Sequence, residues 1–151
     1  MQQLAFFAKG RGRGIFGNFS PEVLQDYLAF HAAQATLAFV REHGEVAGLG
    51  IAWQMKPEEI RRRHRGGRSM FDWEPNDAGA RGLWIANVVA TSVPVRRGLL
   101  NGLMQRFPNW AQLEIYTTRR GRGLVRIPPL ALARLMLGHE PAELRKKLLN
   151  K

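Results

Sequence analysis

The chain has 151 residues, of which 45% are hydrophobic, and it carries 23 Lys and Arg against 12 Asp and Glu, a formal net charge of +11. This length and apolar share predict a single globular domain over residues 1–151. The sequence has no cysteine, which excludes disulfides and thiolate metal sites, and no apolar run approaches the roughly 20 residues of a membrane helix. No basic segment precedes the short apolar run at the N-terminus, so we expect no signal peptide. The lack of cysteine fits a cytoplasmic location.

Arginine supplies most of the positive charge, with 18 Arg to 5 Lys. The planar guanidinium donates paired hydrogen bonds to phosphate or carboxylate, so this bias fits a polyanion or an acidic protein as partner. It fits equally a well-solvated surface on which Arg takes the place of Lys. Composition leaves both interpretations open.

The first 19 residues predict an N-terminal arm. Residues 3–8 have the pattern of a short edge strand, and Lys9–Gly17 is a Gly/Arg loop able to lie along a phosphate backbone or an acidic neighbour. A helix starts at Ser20 and runs to about Gln34, because a capping side chain, a first-turn proline and an acid follow one another. His31 lies on the apolar face of this helix, where we expect it to be packed.

Two strands and a basic helix follow. The strands span Thr36–Arg41 and Val46–Trp53, and the tight turn between them contains a glycine that can take a positive φ. Gly48 and Gly50 on the second strand indicate a bulge or a close approach, by packing or by a ligand. The helix that begins at Pro57 ends in the densest basic run of the chain, which suits the negative end of the helix dipole and also a patch that grips phosphates. The candidate contact residues in this run are Arg61, Arg62, Arg63, Arg65 and Arg68.

Residues 82–118 are the most informative stretch. Leu83–Ala90 is apolar on both sides, which predicts a central strand covered on both faces. Strict alternation places Leu83, Ile85 and Val89 on one face and Trp84, Ala86, Val88 and Ala90 on the other. Ser92 and Pro94 start a helix whose apolar residues continue to Phe107, and Gln112–Thr118 alternates as a second strand. These elements predict a βαβ unit whose first junction presents backbone N–H groups to an anion.

The rest of the chain predicts a basic turn, a strand and two helices. Arg119, Arg120 and Arg122 lie in the turn and form a second candidate cluster for an anionic partner. Leu124–Ile127 predicts a strand in a hairpin with 112–118, Leu130–Leu137 predicts a helix ended by glycine, and Pro141–Leu149 predicts a basic tail helix. Together the elements predict an α+β fold with a mixed, mostly antiparallel central sheet, a βαβ unit and flanking helices.

This order of elements resembles the N-acetyltransferase (GNAT) superfamily, and is similar in particular to the RTX-toxin-activating lysine acyltransferases. The similarity covers roughly residues 36–135 and rests on Trp84-Ile85, on Met104-Gln105-Arg106-Phe107-Pro108 and on the hairpin that follows. In that superfamily the central strand parts from its parallel neighbour, acyl-CoA lies in the gap, and its pyrophosphate rests on the start of the next helix. The resemblance therefore implies acyl-CoA as cofactor. The residues it implies for binding are Val95, Arg96, Arg97 and Gly98, where this chain departs in part from the family's Arg/Gln-x-x-Gly-x-Gly/Ala pattern.

The resemblance also implies a catalytic histidine and aspartate, and this sequence matches neither. The aspartate position falls on Ala86 or Asn87, and the histidine position falls near Ile15. Because a general base must titrate, we expect weak or absent catalysis. The remaining candidates for a catalytic role are Asn87, Glu114 and Tyr116, with Asp72 and Glu74 in the loop that follows the basic run.

Two functions are open on this basis. The first is a GNAT-like acyltransferase-fold protein, weakly active or catalytically degenerate, that uses acyl-CoA or an acyl carrier. The second is a small basic structural or accessory protein that binds nucleic acid or an acidic protein surface through its arginine clusters and the 9–17 arm. Short GNAT-like chains of this kind resemble phage proteins, so the second interpretation implies a virion or phage-assembly component.

Overall fold

A five-stranded sheet forms the centre of the molecule, and helices cover both of its faces. The computed structural model describes residues 1–11, 19–66, 75–119 and 122–138, together with residues 142, 146 and 149. The strands are β1 (Leu37–Glu42), β2 (Glu45–Met55), β3 (Gly82–Ala90), β4 (Glu114–Arg119) and β5 (Gly123–Ile127). The helices are α1 (Gln2–Arg11), α2 (Pro21–Ala33), α3 (Pro57–Gly66), α4 (Val93–Met104) and α5 (Pro129–Leu137). The predicted α+β class is confirmed.

The sheet is mixed and mostly antiparallel, as expected. Its strand order is β1-β2-β3-β4-β5, and only the β3–β4 pair is parallel. Because α4 connects these two parallel neighbours, β3, α4 and β4 form the predicted βαβ unit.

The two faces of the sheet bury separate apolar clusters. On one face, Trp53 and Trp84 pack with side chains of α1 and α2 and with Ile60 of α3. On the other face, Leu83 and Ile115 pack with α4 and α5. Burying a large apolar side chain stabilises a fold by about 1.5–3 kcal/mol, so helix packing on both faces explains why β3 is apolar throughout.

The predicted edge strand at residues 3–8 is wrong, because this segment is part of helix α1. Leu4, Ala5 and Ala8 are buried, at a spacing of one and four residues that matches a helix and not the two-residue period of a strand. These side chains belong to the core cluster that includes α2. Lys9, Gly10 and Arg11 continue the helix, and the rest of the predicted Gly/Arg loop falls largely on residues outside the described ranges.

Local start and stop signals are confirmed. The hydroxyls of Ser20 and Ser92 accept hydrogen bonds from Val23 N and Val95 N, both at 3.3 Å, and so cap α2 and α4. Gly44 has φ +80° in the β1–β2 turn, and Gly138 has φ +77° where α5 ends. The predicted tail helix over Pro141–Leu149 lies mostly outside the described ranges.

A bulge in β3 makes the predicted division of its side chains between the two faces wrong. Ile85 pairs with Ala52 of β2, whereas Asn87 pairs with Ile51, so Ala86 is an extra residue on β3. The alternation shifts by one residue at this point. Val89 therefore packs on the face of Trp84, and Val88 and Ala90 pack on the face of Leu83 and Ile85.

Candidate functional site

The two parallel strands of the βαβ unit part halfway along β3. Their pairing runs from Gly82–Glu114 to Ile85–Thr117, whereas β3 continues to Ala90 with no further pairing to β4. At the last pair, the hydroxyl of Thr117 donates a 3.1 Å hydrogen bond to the carbonyl of Ile85. The bulge at Ala86 follows at once, and a bulge bends a strand and increases its twist. The two parallel strands are therefore paired along only the first half of β3.

A cleft of about 310 Å³ lies where the strands part, on the face covered by α4 and α5. This volume is at the lower end of the range for small-molecule sites, about 300–1,000 Å³. Apolar side chains from β3, β5 and the two helices form most of its wall, joined by Thr117 and by the exposed Arg96 and Arg119. The apolar lining residues are Ile85, Val88, Leu100, Ile127, Leu132 and Leu135. Such a cleft suits a ligand with an apolar part and an anionic group.

The start of α4 offers fewer free N–H groups than its position after β3 predicts. Only Thr91 and Ser92 connect β3 to α4, and Pro94 in the first turn has no N–H. Val95 N donates to the Ser92 hydroxyl, and Arg96 N donates to the Ser92 carbonyl at 3.0 Å. The cap thus satisfies donors that an anion would otherwise use. An anion at this junction would depend mainly on side chains.

The four residues predicted to bind the cofactor occupy different environments. Val95 is buried in the core, whereas Arg96 and Gly98 are exposed. The Arg97 guanidinium lies against Gly138, which directly follows α5, since a Cβ atom on Gly138 would be 2.8 Å from Arg97 Nη2. A cation is favourable at this helix end. Of the four, Arg96 lines the cleft.

Two of the catalytic candidates lie together on the opposite face of the sheet. The hydroxyl of Tyr116 donates to Glu114 Oε2 at 3.2 Å and accepts from Arg61 Nη1 at 3.1 Å. Arg126 Nη2 is 3.8 Å from Glu114 Oε1. Burial raises the pKa of Tyr116, and the charge of Glu114 raises it further. Tyr116 packs in the cluster of Trp84, so this network connects α3 to the sheet and does not line the cleft.

Asn87 is the one catalytic candidate on the parted segment of β3. It follows the bulge and pairs with Ile51 of β2. The candidates Asp72 and Glu74 lie outside the described residues. Among the described residues that line the cleft there is no carboxylate, histidine or tyrosine. The structure therefore brings no titratable candidate base to the cleft within the part of the chain that it describes.

The two arginine clusters, about sixty positions apart in the sequence, converge in space. The ring of His64 lies beside the turn between β4 and β5, because a Cβ atom on Gly123 would be 3.3 Å from His64 Nε2. Arg61 and Arg65 on α3 are exposed, as are Arg122 and Arg126 on the hairpin. The predicted contacts Arg68 and Arg120 lie outside the described residues.

Two arginines of the α3 run are engaged with a carboxylate of the same helix. Arg62 Nη2 donates to Glu59 Oε2 at 2.7 Å, and Arg62 Nε also donates to this group. These hydrogen bonds hold the pKa of Glu59 below its usual range. Arg63 is buried, with its Nε atom 3.8 Å from Glu59 Oε2. Within the described part of this run, Arg62 and Arg63 therefore contact Glu59, whereas the exposed Arg61 and Arg65 do not take part in this ion pair.

Several cleft residues were not predicted from the sequence as site residues. Their spacing is that of ordinary core positions in a strand or a helix, and spacing alone does not distinguish the wall of a cleft from a packed core. These residues are Thr117, Ile127, Leu132 and Leu135. Arg119 was predicted as a contact for an anionic macromolecule and instead lines the cleft. Its place at the end of a strand parallel to the central strand is the signal that could have indicated this.

A larger hollow of about 820 Å³ lies between α1 and the β1–β2 hairpin. The exposed Phe6 and the carboxylates of Glu42 and Glu45 are among its lining residues. Gly10 of the predicted 9–17 arm lines this hollow, but none of the cofactor-binding, catalytic or arginine-cluster candidates does. We therefore place the candidate site in the cleft between β3 and β4.

No protein-family model matches the chain, and a search of curated proteins finds no similar sequence. Within the described residues, no helix is both long enough and apolar enough to cross a membrane. The functional assignment therefore depends on the geometry of the two sites described above.

Proposed function

We propose that this protein binds an acyl thioester, such as an acyl-CoA, in the cleft between β3 and β4, and that it is a GNAT-like acyltransferase-fold protein with weak or no transfer activity. The observation that carries the proposal is the end of parallel pairing at Ile85–Thr117 above a cleft of about 310 Å³. A strand that continues without its parallel neighbour can accept an extended, amide-containing ligand by strand addition. The pantetheine arm of CoA is such a ligand.

The chemistry of the cleft fits the two ends of this ligand. The side chains of Val88, Leu100 and Leu135 offer an apolar surface to an acyl chain, and each buried methylene contributes about 0.8 kcal/mol. Arg96 and Arg119 are exposed at the same cleft and can donate charge-assisted hydrogen bonds to phosphate oxygens. Because the cap of α4 uses nearby backbone donors, these guanidinium groups carry most of the recognition of the anion.

Weak transfer follows from the groups in the cleft. A positioned general base contributes typically 10²–10⁴-fold to a rate, and the described cleft residues include no titratable base. Asn87 does not line the cleft, and its amide could not accept a proton from an attacking amine. Release of free CoA from octanoyl-CoA in the presence of an amine should therefore stay close to the uncatalysed background. Rapid release would contradict a degenerate site.

Binding is tested by thermal unfolding with acetyl-CoA and octanoyl-CoA. At a hundredfold excess over Kd, either ligand should stabilise the fold by about 2.7 kcal/mol, which raises Tm by roughly 5–10 °C for a chain of this size. Octanoyl-CoA should bind more tightly, because its chain fills more of the apolar wall. No shift at millimolar concentrations of both ligands would overturn the proposal.

Charge reversal at the cleft tests the location of the site. Arg96→Glu with Arg119→Glu should weaken octanoyl-CoA binding by at least tenfold, because both guanidinium groups that face the phosphates are replaced by carboxylates. Arg41→Glu is the control for each single reversal, because it changes the net charge by the same two units and Arg41 is exposed on β1 at the opposite edge of the sheet. Equal losses in the cleft variant and the control would indicate a general charge effect and not this site.

A further inference from the structure

The exposed arginines of α3 and of the β4–β5 hairpin form one surface, which we call the arginine face: Arg61, Arg65, Arg122 and Arg126. The register pairs Tyr116 with Arg126, and Arg61 donates to the hydroxyl of Tyr116, so the helix and the hairpin meet at this tyrosine. The His64 ring beside Gly123 joins the other ends of the two elements. The arginine face is thus built from two segments that these two contacts hold together.

The arginine face has a strong excess of positive charge. All four arginine residues are exposed, and Arg126 has 64% of its side chain accessible. Among the described residues of the hairpin, Glu114 is the single carboxylate, and it is engaged by Tyr116 and Arg126. Glu58 and Glu59 lie in the first turn of α3, and Glu59 pairs with Arg62. The charge of the face is therefore mostly uncompensated by its described neighbours.

The composition of the face favours phosphate groups over a protein surface. Protein interfaces contain an apolar centre enriched in aromatic side chains, surrounded by a polar rim. The large hydrophobic side chains that are exposed in the described part of the chain include none on α3 or on the β4–β5 hairpin. A phosphate backbone needs no apolar centre, because binding is driven by release of counterions when Lys and Arg neutralise phosphates.

We propose that the arginine face binds the sugar–phosphate backbone of a nucleic acid without sequence specificity. The four arginines contact phosphates, and base edges are not read. This activity is independent of acyl-thioester binding, since the cleft lies on the face of the sheet covered by α4 and α5, whereas α3 covers the other face.

The salt dependence of binding to a labelled 20-base-pair DNA duplex of mixed sequence tests the proposal. Four phosphate contacts predict a slope of log K against log [NaCl] of about −3.6, from about −0.9 per contact. Affinity should then fall on the order of a hundredfold between about 50 and 200 mM NaCl. A slope near zero would overturn the proposal.

Substitutions on the face locate the contacts. Arg65→Gln and Arg122→Gln should each reduce the steepness of the slope by about 1, and the double variant should lose only on the order of tenfold affinity over the same range of salt. Arg41→Gln removes the same charge from the opposite edge of the sheet and should leave the slope within experimental error. Equal effects of Arg41→Gln and Arg122→Gln would contradict a defined face.

Two further measurements test whether the face binds an acidic protein instead of DNA, and whether DNA binding is independent of acyl-thioester binding. Poly-glutamate of similar length should compete poorly with the duplex, and tighter binding of poly-glutamate than of DNA would assign the face to an acidic protein instead. The Arg65→Gln/Arg122→Gln variant should keep the Tm of the parent and its octanoyl-CoA response. Failure of DNA binding with an intact octanoyl-CoA response would reject this inference alone and leave the acyl-thioester proposal standing.

Discussion

His31 shows how burial sets the chemistry of a single residue. Its side chain is 1% exposed and lies against Tyr27 and Trp53, with ring centroids 4.6 and 4.9 Å away. The hydroxyl of Thr36 donates to the His31 carbonyl, so its oxygen accepts from Nδ1 at 2.7 Å and the proton is on Nδ1. The side chain is therefore packed, as the apolar face of the helix predicted, and burial lowers its pKa so that the ring is neutral at pH 7.

The pH dependence of stability should report this burial. Desolvation lowers the pKa of His31 to about 4, from an ordinary value of 6.5. Between these values the unfolded chain binds a proton that the folded chain does not, so the free energy of unfolding should fall as the pH is lowered through this window. The loss is on the order of 3 kcal/mol by pH 4, and the dependence due to His31 fades about one pH unit above 6.5, where the unfolded chain is also deprotonated.

Urea unfolding of the parent and of His31→Phe between pH 4 and 7 checks this prediction. The variant keeps an aromatic ring against Tyr27 and Trp53. Its free energy of unfolding should depend less on pH in this window, even if that free energy differs from the parent's at every pH. His43→Asn removes an exposed histidine and should leave the pH dependence of the parent unchanged. Parallel curves for the parent and His31→Phe would show that His31 is protonated equally in both states.

At the scale of elements, glycines decide how closely the helices approach the sheet. A Cβ atom on Gly48 would be 2.6 Å from side-chain atoms of Val95 and Leu99, and one on Gly50 would be 2.9 Å from Leu103. These glycines therefore let α4 pack tightly against β2. Of the two interpretations that the sequence left open for this pair, packing is the one found.

Gly82→Ala should destabilise the protein, because the contact it would make is with backbone. A Cβ atom there would be 2.5 Å from the carbonyl oxygen of Met55 and 3.2 Å from the nitrogen of Pro57, where β2, β3 and α3 meet. Overpacking costs typically 1–3 kcal/mol, so we expect a loss of about 2 kcal/mol in urea unfolding.

Gly102→Ala is the matched control for this substitution. It lies inside α4, and a Cβ atom there meets no atom within 4 Å. Alanine in a helix interior is favoured over glycine by roughly 0.5–1 kcal/mol, so this variant should be as stable as the parent or more so. A stable Gly82→Ala protein would mean that the junction of β2 and α3 can move.

At the scale of the whole molecule, positive charge is spread over both sides of the sheet. The cleft carries Arg96 and Arg119, the other side carries the arginine face, and the formal net charge is +11. Repulsion among these charges destabilises a compact state. Salt screens it, since the Debye length falls from about 30 Å at 0.01 M to about 8 Å at 0.15 M.

Raising NaCl from 10 to 150 mM should therefore increase Tm by a few degrees, corresponding to about 1 kcal/mol. In Arg65→Glu/Arg122→Glu each reversal removes two charges, so the net charge falls from +11 to +7 and the increase should be smaller. A decrease of Tm with salt in the parent would show that attractive pairs such as Arg62–Glu59 outweigh the repulsion.

The sequence by itself determined the features that depend on neighbouring residues. The caps at Ser20 and Ser92, the turn at Gly44 and the end of α5 at Gly138 all follow from the chemistry of one to four adjacent positions. The apolar run of β3 and the helical spacing after it likewise indicated the βαβ unit. For α1 the prediction from neighbouring residues was wrong. The short pattern of residues 3–8 is compatible with a strand or a helix, and the packing of this segment against α2 selects the helix.

Only the tertiary structure decided the features that depend on distant residues. The extra residue at Ala86 is visible only in the pairing of β3 with β2, and it shifts Val88 to the cleft side. The end of pairing at Ile85–Thr117 and the contact of His64 with Gly123 join positions more than thirty residues apart. Alternation and spacing describe one segment at a time, so the cleft and the arginine face emerge only when the segments pack.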